Sequence, residues 1–407
     1  MTLKNFFKTN YTISFLIILS FIIIVNNFFR FFQNQTTHQY LPWLSNYQGG
    51  FVRRGLPGEL FFQLHEILNI HLGWIVFISV CCLYFLFYLT FFNLVKKIEI
   101  NKIYIFALFS PIGFFFPVLN SKGTGHKEII LLCFISIFCY LIPRIKRNTA
   151  NYVMLLLAIF VVLSHEGLIF FLPYLIIPYF IFYKFKDFKD LFINFLPITI
   201  TTFLLAILVY LFHGSEQHVL DICNSIKSYT SSLCETSGQI SALKFAMNEN
   251  ISQKSKLVYG GLSVYPSYFI IYGVGLIAGF LPLSILYGKS KILVNILNQK
   301  INPIFFLIFP LVLSFPIYYI AADWGRYLYI SYMCSLVIII FCVKNNILYI
   351  KQTNSTLKDN FLTKALFLFF IMFYGFGWSV PVCCEKQFKS GIFQSFNKAI
   401  YYYKENN

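Results

Sequence analysis

The sequence predicts an all-α, polytopic integral membrane protein, and three observations carry that expectation. Hydrophobic residues make up 58% of the 407 positions and charged residues only 12%, against about 45–50% and about 25% in soluble domains. Apolar runs of about the 20 residues that cross a bilayer follow one another along the chain. Alternate gaps between those runs are short and carry Lys and Arg with almost no acid, as loops kept in the cytoplasm do. Such a composition excludes a soluble enzyme, a disordered chain, a coiled coil and a disulfide-framed secreted module.

In chain order, spans are expected near 11–29, 72–95, 103–119, 129–143, 190–212, 262–287, 303–320, 327–343 and 361–379. Segment 11–29 ends in Asn26, Asn27 and bulky Phe rather than a small-residue cleavage site, so it is expected to stay as the first span. The run 151–183 is too long for one straight helix and short for two full ones. His165, Glu166 and Gly167 interrupt it, and Pro173 and Pro178 follow. It reads as a tight hairpin of two short or broken helices with the His-Glu pair at its tip. The total is about eleven transmembrane or half-membrane helices in a single integral membrane domain, 1–407.

Basic-residue density sets the orientation. Segments 1–10, 96–102, 144–150, 184–189, 288–300 and 344–360 hold Lys96-Lys97, Arg144, Lys146, Arg147, Lys184, Lys186, Lys189, Lys289 and Lys291. They are expected inside, with the N-terminus cytoplasmic. Segments 30–71, 120–128, the tip at 165, 213–261, 321–326 and the tail from 380 are then outside. Reading 151–183 as one span would invert everything beyond it and break the bias. The net charge of +17 is thereby a feature of topology, and no nucleic-acid partner is expected. Among the ten cysteines, most lie in spans as small apolar fillers. Cys223 and Cys234 share the long outer loop 213–261, where an oxidising compartment would let them bridge or leave them free.

Acidic residues are the informative ones, because a charge near hydrocarbon costs about 2.5 kcal/mol or more unless it has a partner or cavity. Apart from Asp190, beside Lys189 on the inner side, only Glu128, Glu166 and Asp323 sit at or inside span ends. Each has a basic or titratable sequence neighbour: Lys127, His165 and Arg326. All three fall on the outer side.

The first outer loop, 30–71, holds Asn46-Tyr-Gln-Gly-Gly-Phe-Val-Arg-Arg-Gly-Leu-Pro-Gly-Glu59. Pro57 suits a first helical turn, and Leu60, Phe61, Leu64, Ile67 and Leu68 then share one face, so a helix lying along the membrane surface is expected. Arg53 and Arg54 would precede its N-terminus, where anions are favoured; lipid headgroups are an equally direct partner for them. The chain has only 6 Arg against 26 Lys, and three of the six, Arg53, Arg54 and Arg326, lie in outer segments within two residues of a glycine. Guanidinium grips phosphate through paired hydrogen bonds, which ammonium cannot do.

The second outer loop reads Ser121-Lys-Gly-Thr-Gly-His-Lys-Glu128. Lys122, His126, Lys127 and two glycines before a helix make either an anion nest or a plain tight connection. His165 could act as a general base, with Glu166 or Asp323 as alternatives. His65, Glu66 and His71 lack the spacing of metal ligands, so neither a metal nor another cofactor is expected.

The Phe-Val-Arg-Arg-Gly-Leu segment, His165-Glu166 and Asp323-Trp-Gly-Arg326, set in this architecture, resemble the Wzy-type O-antigen and capsular polysaccharide polymerases. What the resemblance implies is a metal-independent glycosyltransferase in the bacterial inner membrane with its active site facing the periplasm. It would move a growing glycan from undecaprenyl pyrophosphate onto the sugar hydroxyl of an incoming lipid-linked repeat unit. His165, Glu166 and Asp323 would be catalytic. Arg53, Arg54, Lys122, His126, Lys127, Glu128 and Arg326 would bind substrate. Membrane lipid and a chain-length regulator protein are the further partners implied. Two alternatives remain open at this point: a polyprenyl-phosphate-sugar transferase of the GT-C type, and a transporter or flippase of lipid-linked sugars. The first acidic residue is Glu59, which disfavours the former, and charge gathered at one side disfavours the latter.

Overall fold

The computed structural model describes residues 9–35, 39–96, 98, 102–183, 185–230, 234–235, 238–245, 249, 267–292, 301–350, 361–383 and 388. Lys97, Lys184, much of loop 246–266 and nearly all of the tail beyond 383 lie outside them. The architecture is helical: α1 (Thr9–Gln33), α2 (Leu56–Leu68), α3 (Leu72–Val95), α4 (Lys102–Leu108), α5 (Glu128–Leu141), α6 (Arg147–Ser164), α7 (Leu172–Phe182), α8 (Phe188–Leu211), α9 (Glu216–Ser225), α10 (Ser267–Lys289), α11 (Phe305–Leu313), α12 (Phe315–Ile320), α13 (Trp324–Lys344) and α14 (Phe361–Phe376), with several shorter turns. Five described helices, Leu72–Val95, Arg147–Ser164, Phe188–Leu211, Phe269–Lys289 and Trp324–Lys344, are long and apolar enough to cross a membrane. Shorter apolar helices accompany them, an arrangement compatible with a membrane protein.

Helix α13 is the centre. Every residue from Gly325 to Cys342 is buried, as expected of a helix apolar on all faces, and α3, α5, α7, α10 and α11 pack around it. Peripheral α8 lies on α6 and leaves Phe192, Phe203, Leu204 and Leu211 exposed. Exposed apolar side chains also run along α3, α10 and α14, among them Ile78, Phe85, Ile277 and Phe369. A surface this apolar suits hydrocarbon rather than water.

Three expected elements differ. Segment 103–119 is not one helix: α4 stops at Leu108, turns follow, and only Phe116–Leu119 is helical again. Pro111 cannot donate to a helical ladder and disfavours helix at Ser110. Ser110 Oγ instead donates to the Gly279 carbonyl of α10 at 3.0 Å, and burial in protein makes irregular backbone tolerable at this depth. Segment 303–320 is likewise split into α11 and α12 at Ser314, ahead of Pro316. The all-α expectation also omits one short antiparallel ladder, Ser290–Ile292 with Leu348–Ile350.

The 151–183 run is a helix pair. His165 is extended between α6 and a 3-10 segment, Glu166–Phe171, that leads into α7. The Tyr183 hydroxyl beyond α7 returns to the Ile142 and Ile145 carbonyls just before α6, at 3.1 and 2.8 Å, so the pair is antiparallel.

The segments also sort by end. At one end, Arg147 pairs with Asp190 at 2.9 Å, Lys344 Nζ donates to the Asn93 carbonyl at 2.6 Å, and the ladder joins 290–292 to 348–350. At the other, Trp43 Nε1 donates to the Gly125 carbonyl at 2.6 Å, and the Gly325 N–H donates to the Val382 carbonyl at 3.2 Å. These are the two groups that basic-residue density assigns to opposite sides. Cys223 and Cys234 are disulfide-bonded.

Candidate functional site

Four chain-remote segments meet at the second end. The first is the turn before α2. Tyr47 N–H donates to Glu59 Oε2 at 2.9 Å, and Pro57 starts the helix. Leu60, Leu64, Ile67 and Leu68 on α2 are exposed, the apolar face expected of an interfacial helix. Arg54 has φ +65°, a left-handed conformation that costs an L-residue with a Cβ roughly 1–2 kcal/mol. Two contacts hold it there. Its carbonyl accepts a hydrogen bond from Lys127 Nζ at 2.7 Å, and its guanidinium grips Glu166 through Nε at 2.6 Å and through Nη2. Backbone strain at a charged cluster is the kind of feature functional sites retain.

Arg53 is 1% exposed and works as a stitch. Its N–H donates to the Phe212 carbonyl at 3.0 Å, and Nη2 donates to the carbonyls of Ala242 (2.9 Å) and Phe245 (3.4 Å). Nη1 lies 3.9 Å from Glu166 Oε1. The loop before α2 is thereby tied to the tip of the α6–α7 pair. Burial lowers the Arg53 guanidinium to about 10, although Glu166 opposes the shift, so it stays charged at neutral pH.

The second loop supplies Lys127 and Glu128. Gly125, at φ +79°, is held by Trp43 on its carbonyl and the Tyr84 hydroxyl on its N–H (3.2 Å). A Cβ there would fall 2.2 Å from the Phe28 ring, so only glycine fits. Lys127 is buried, and burial, followed by the repulsion of Arg54, pushes its ammonium down to about 7. His126 Nε2 donates to the Lys122 carbonyl at 2.8 Å, while Lys122 itself is exposed.

Glu128, buried in the first turn of α5, is bound by Arg326 Nη2 from α13. Arg326 Nη1 reaches Asp323 Oδ2 at 2.7 Å, and the Asp323 side chain is 35% exposed. His165 completes the group, within electrostatic reach of Arg54, Glu166, Glu128 and Arg326. Its Nδ1 accepts the Gly167 N–H at 3.1 Å. Burial first, then Arg54, hold the imidazole well below its ordinary value. A neutral ring that accepts at Nδ1 carries its proton on Nε2.

All ten residues singled out from sequence lie at this end; Asp323 pairs with its sequence neighbour Arg326, whereas the other two carboxylates pair elsewhere. Glu128 pairs with Arg326 rather than Lys127, and Glu166 pairs with Arg54 rather than His165. Both arginines of the first loop are committed to protein acceptors, so an anionic headgroup would have to compete with Glu166 for Arg54. Tyr84, whose hydroxyl fixes the Gly125 turn, was not legible in a chain with 28 Tyr. No protein-family model, curated protein or solved structure matches the chain.

Proposed function

We propose that this chain is an inner-membrane glycosyltransferase that polymerises undecaprenyl-pyrophosphate-linked oligosaccharide repeat units into O-antigen or capsular polysaccharide on the periplasmic side. The observation that carries the reading is the convergence of Arg54–Glu166, Lys127 and Glu128–Arg326–Asp323 from four segments at one end of an apolar bundle. Charged groups are expensive at a membrane boundary and mark sites of function. Glycosyl transfer from a lipid pyrophosphate needs cations for the departing diphosphate, a carboxylate for the acceptor proton, and access from the lipid. The exposed Lys122 supplies a cation at the rim, and Arg54, partly exposed, would do so in competition with Glu166. The apolar face of α2 supplies the lipid side. The Cys223–Cys234 disulfide in the largest loop suits an oxidising compartment.

The test is reconstitution of the full chain in liposomes with undecaprenyl-pyrophosphate-linked repeat units extracted from the source cells. The reading expects a ladder of glycans longer than one unit. Products that remain single units, whether or not they cross the bilayer, contradict it.

A further inference from the structure

The Glu128–Arg326 pair is only half satisfied. Arg326 Nη2 holds Glu128 Oε1, but Glu128 Oε2 and Arg326 Nε are both buried and have no hydrogen-bond partner among the described residues. A buried polar atom left without a partner costs about 1–3 kcal/mol, more when charged, so such atoms in a packed interior call for an explanation. Both residues line one small cavity, with Tyr84, His126 and Tyr329, and it has room for about one hydroxyl group or water molecule. A hydroxyl has the size for this cavity and the chemistry for both atoms, since it can donate to a carboxylate oxygen and accept from an N–H. The Tyr84 hydroxyl accepts the Gly125 N–H at the same cavity.

We propose that this cavity is the subsite for the acceptor-sugar hydroxyl and that Glu128 takes its proton, an assignment that rests on the glycosyltransferase reading above. The other carboxylates are less suited. Both oxygens of Glu166 are held by Arg54, and His165 Nδ1 is taken up by the Gly167 N–H. Asp323 is open to solvent, where it would activate water as readily as a sugar. In the step, the acceptor O–H bond breaks and its proton passes to Glu128 Oε2. The freed oxygen bonds to the anomeric carbon of the lipid-linked glycan. The bond from that carbon to the pyrophosphate breaks, and undecaprenyl pyrophosphate leaves with the electron pair. Glu128 is then neutral, and Arg326 keeps Asp323 as its counter-charge until the proton is released to water. Water in the same cavity would instead yield free glycan.

The experiment uses the full chain in liposomes with lipid-linked repeat units, and it reads both chain extension and free glycan. Glu128→Ala should slow extension about a hundredfold or more with KM little changed. Added carboxylates should restore it in order of basicity, acetate above formate. Glu128→Gln, which keeps the shape if the alanine variant folds poorly, should be equally slow and not rescued. Extension within tenfold of wild type in both variants overturns the assignment, as does rescue by any small anion regardless of basicity, which would make Glu128 a counter-ion only. Free glycan as the main wild-type product assigns the cavity to water and overturns the sugar subsite. If wild type forms neither product, the glycosyltransferase reading itself fails and takes the assignment with it.

Discussion

Removing the charge of Glu166 while keeping its shape, as Glu166→Gln, perturbs the most heavily connected pair at the site. Glu166 is buried, accepts two hydrogen bonds from Arg54 and lies 3.9 Å from Arg53. Without its charge, Arg53 and Arg54 face each other beside Lys127 with no anion between them. Breaking a buried pair by removing one partner costs about 3–5 kcal/mol. Arg54 keeps 17% of its side-chain exposure, which lets water recover part of that, so the expected loss is about 3 kcal/mol. Arg54→Met should cost slightly less, because Arg53 remains near Glu166. If the two act as one unit, the double variant should be more stable than the sum of the single losses by about 1–3 kcal/mol. Equilibrium unfolding of the purified protein in mixed micelles measures all three. A Glu166→Gln loss within about 0.5 kcal/mol of zero, or strict additivity in the cycle, would refute the reasoning.

Lys127 gives a pH prediction. Its folded value of about 7 lies below the ordinary 10.5, so between those values the unfolded chain holds the extra proton and stability rises with pH. Unfolding followed from pH 7 to 10 should show that rise, and Lys127→Met should flatten it; an unchanged slope in the variant would contradict the assignment. Replacing Cys223 and Cys234 by Ser should lower stability by about 2–4 kcal/mol. Non-reducing peptide mapping should recover the bridged pair, and two free thiols there would count against it. Reporter fusions should place Arg147 and Lys289 in the cytoplasm and Gln217 and the C-terminal tail outside, whereas a cytoplasmic Gln217 would reverse the proposed sidedness.

How much of this was legible follows from what a run of apolar residues encodes. Apolar length marks the helices able to cross a membrane, and α3, α8 and α13 lie close to where it placed them. It says little about helical continuity. Ser110-Pro111 and Pro316 interrupt the ladder inside segments that carry no charge, and so 103–119 and 303–320 broke where one helix was expected. The helix pair at 165 was legible because polar residues and two prolines interrupt its pattern. The site was legible in its members, since carboxylates at span ends are rare and each stands out. Its pairing was not. Glu128 and Arg326 are 198 positions apart, and Glu166 and Arg54 are 112 apart, and nothing in local spacing reports which helix ends will meet. The role of Arg53 was hidden for a related reason, because its acceptors are backbone carbonyls that any residue at Ala242 and Phe245 would supply.

The central claim is that these four segments form one chemical site on the outer face. The most direct measurement is the initial rate of glycan extension in right-side-out vesicles, with lipid-linked repeat units supplied only from outside. Wild type should be compared with Arg54→Lys and Arg326→Lys variants that remain inserted and monodisperse. Each arginine makes charge-assisted bonds that a lysine cannot reproduce in that geometry, worth about 1.5–3 kcal/mol. The account predicts extension by wild type and a fall of roughly ten- to a hundredfold in each variant. Near-normal extension by both lysine variants, or extension only when substrate is supplied to the inner face, would contradict it.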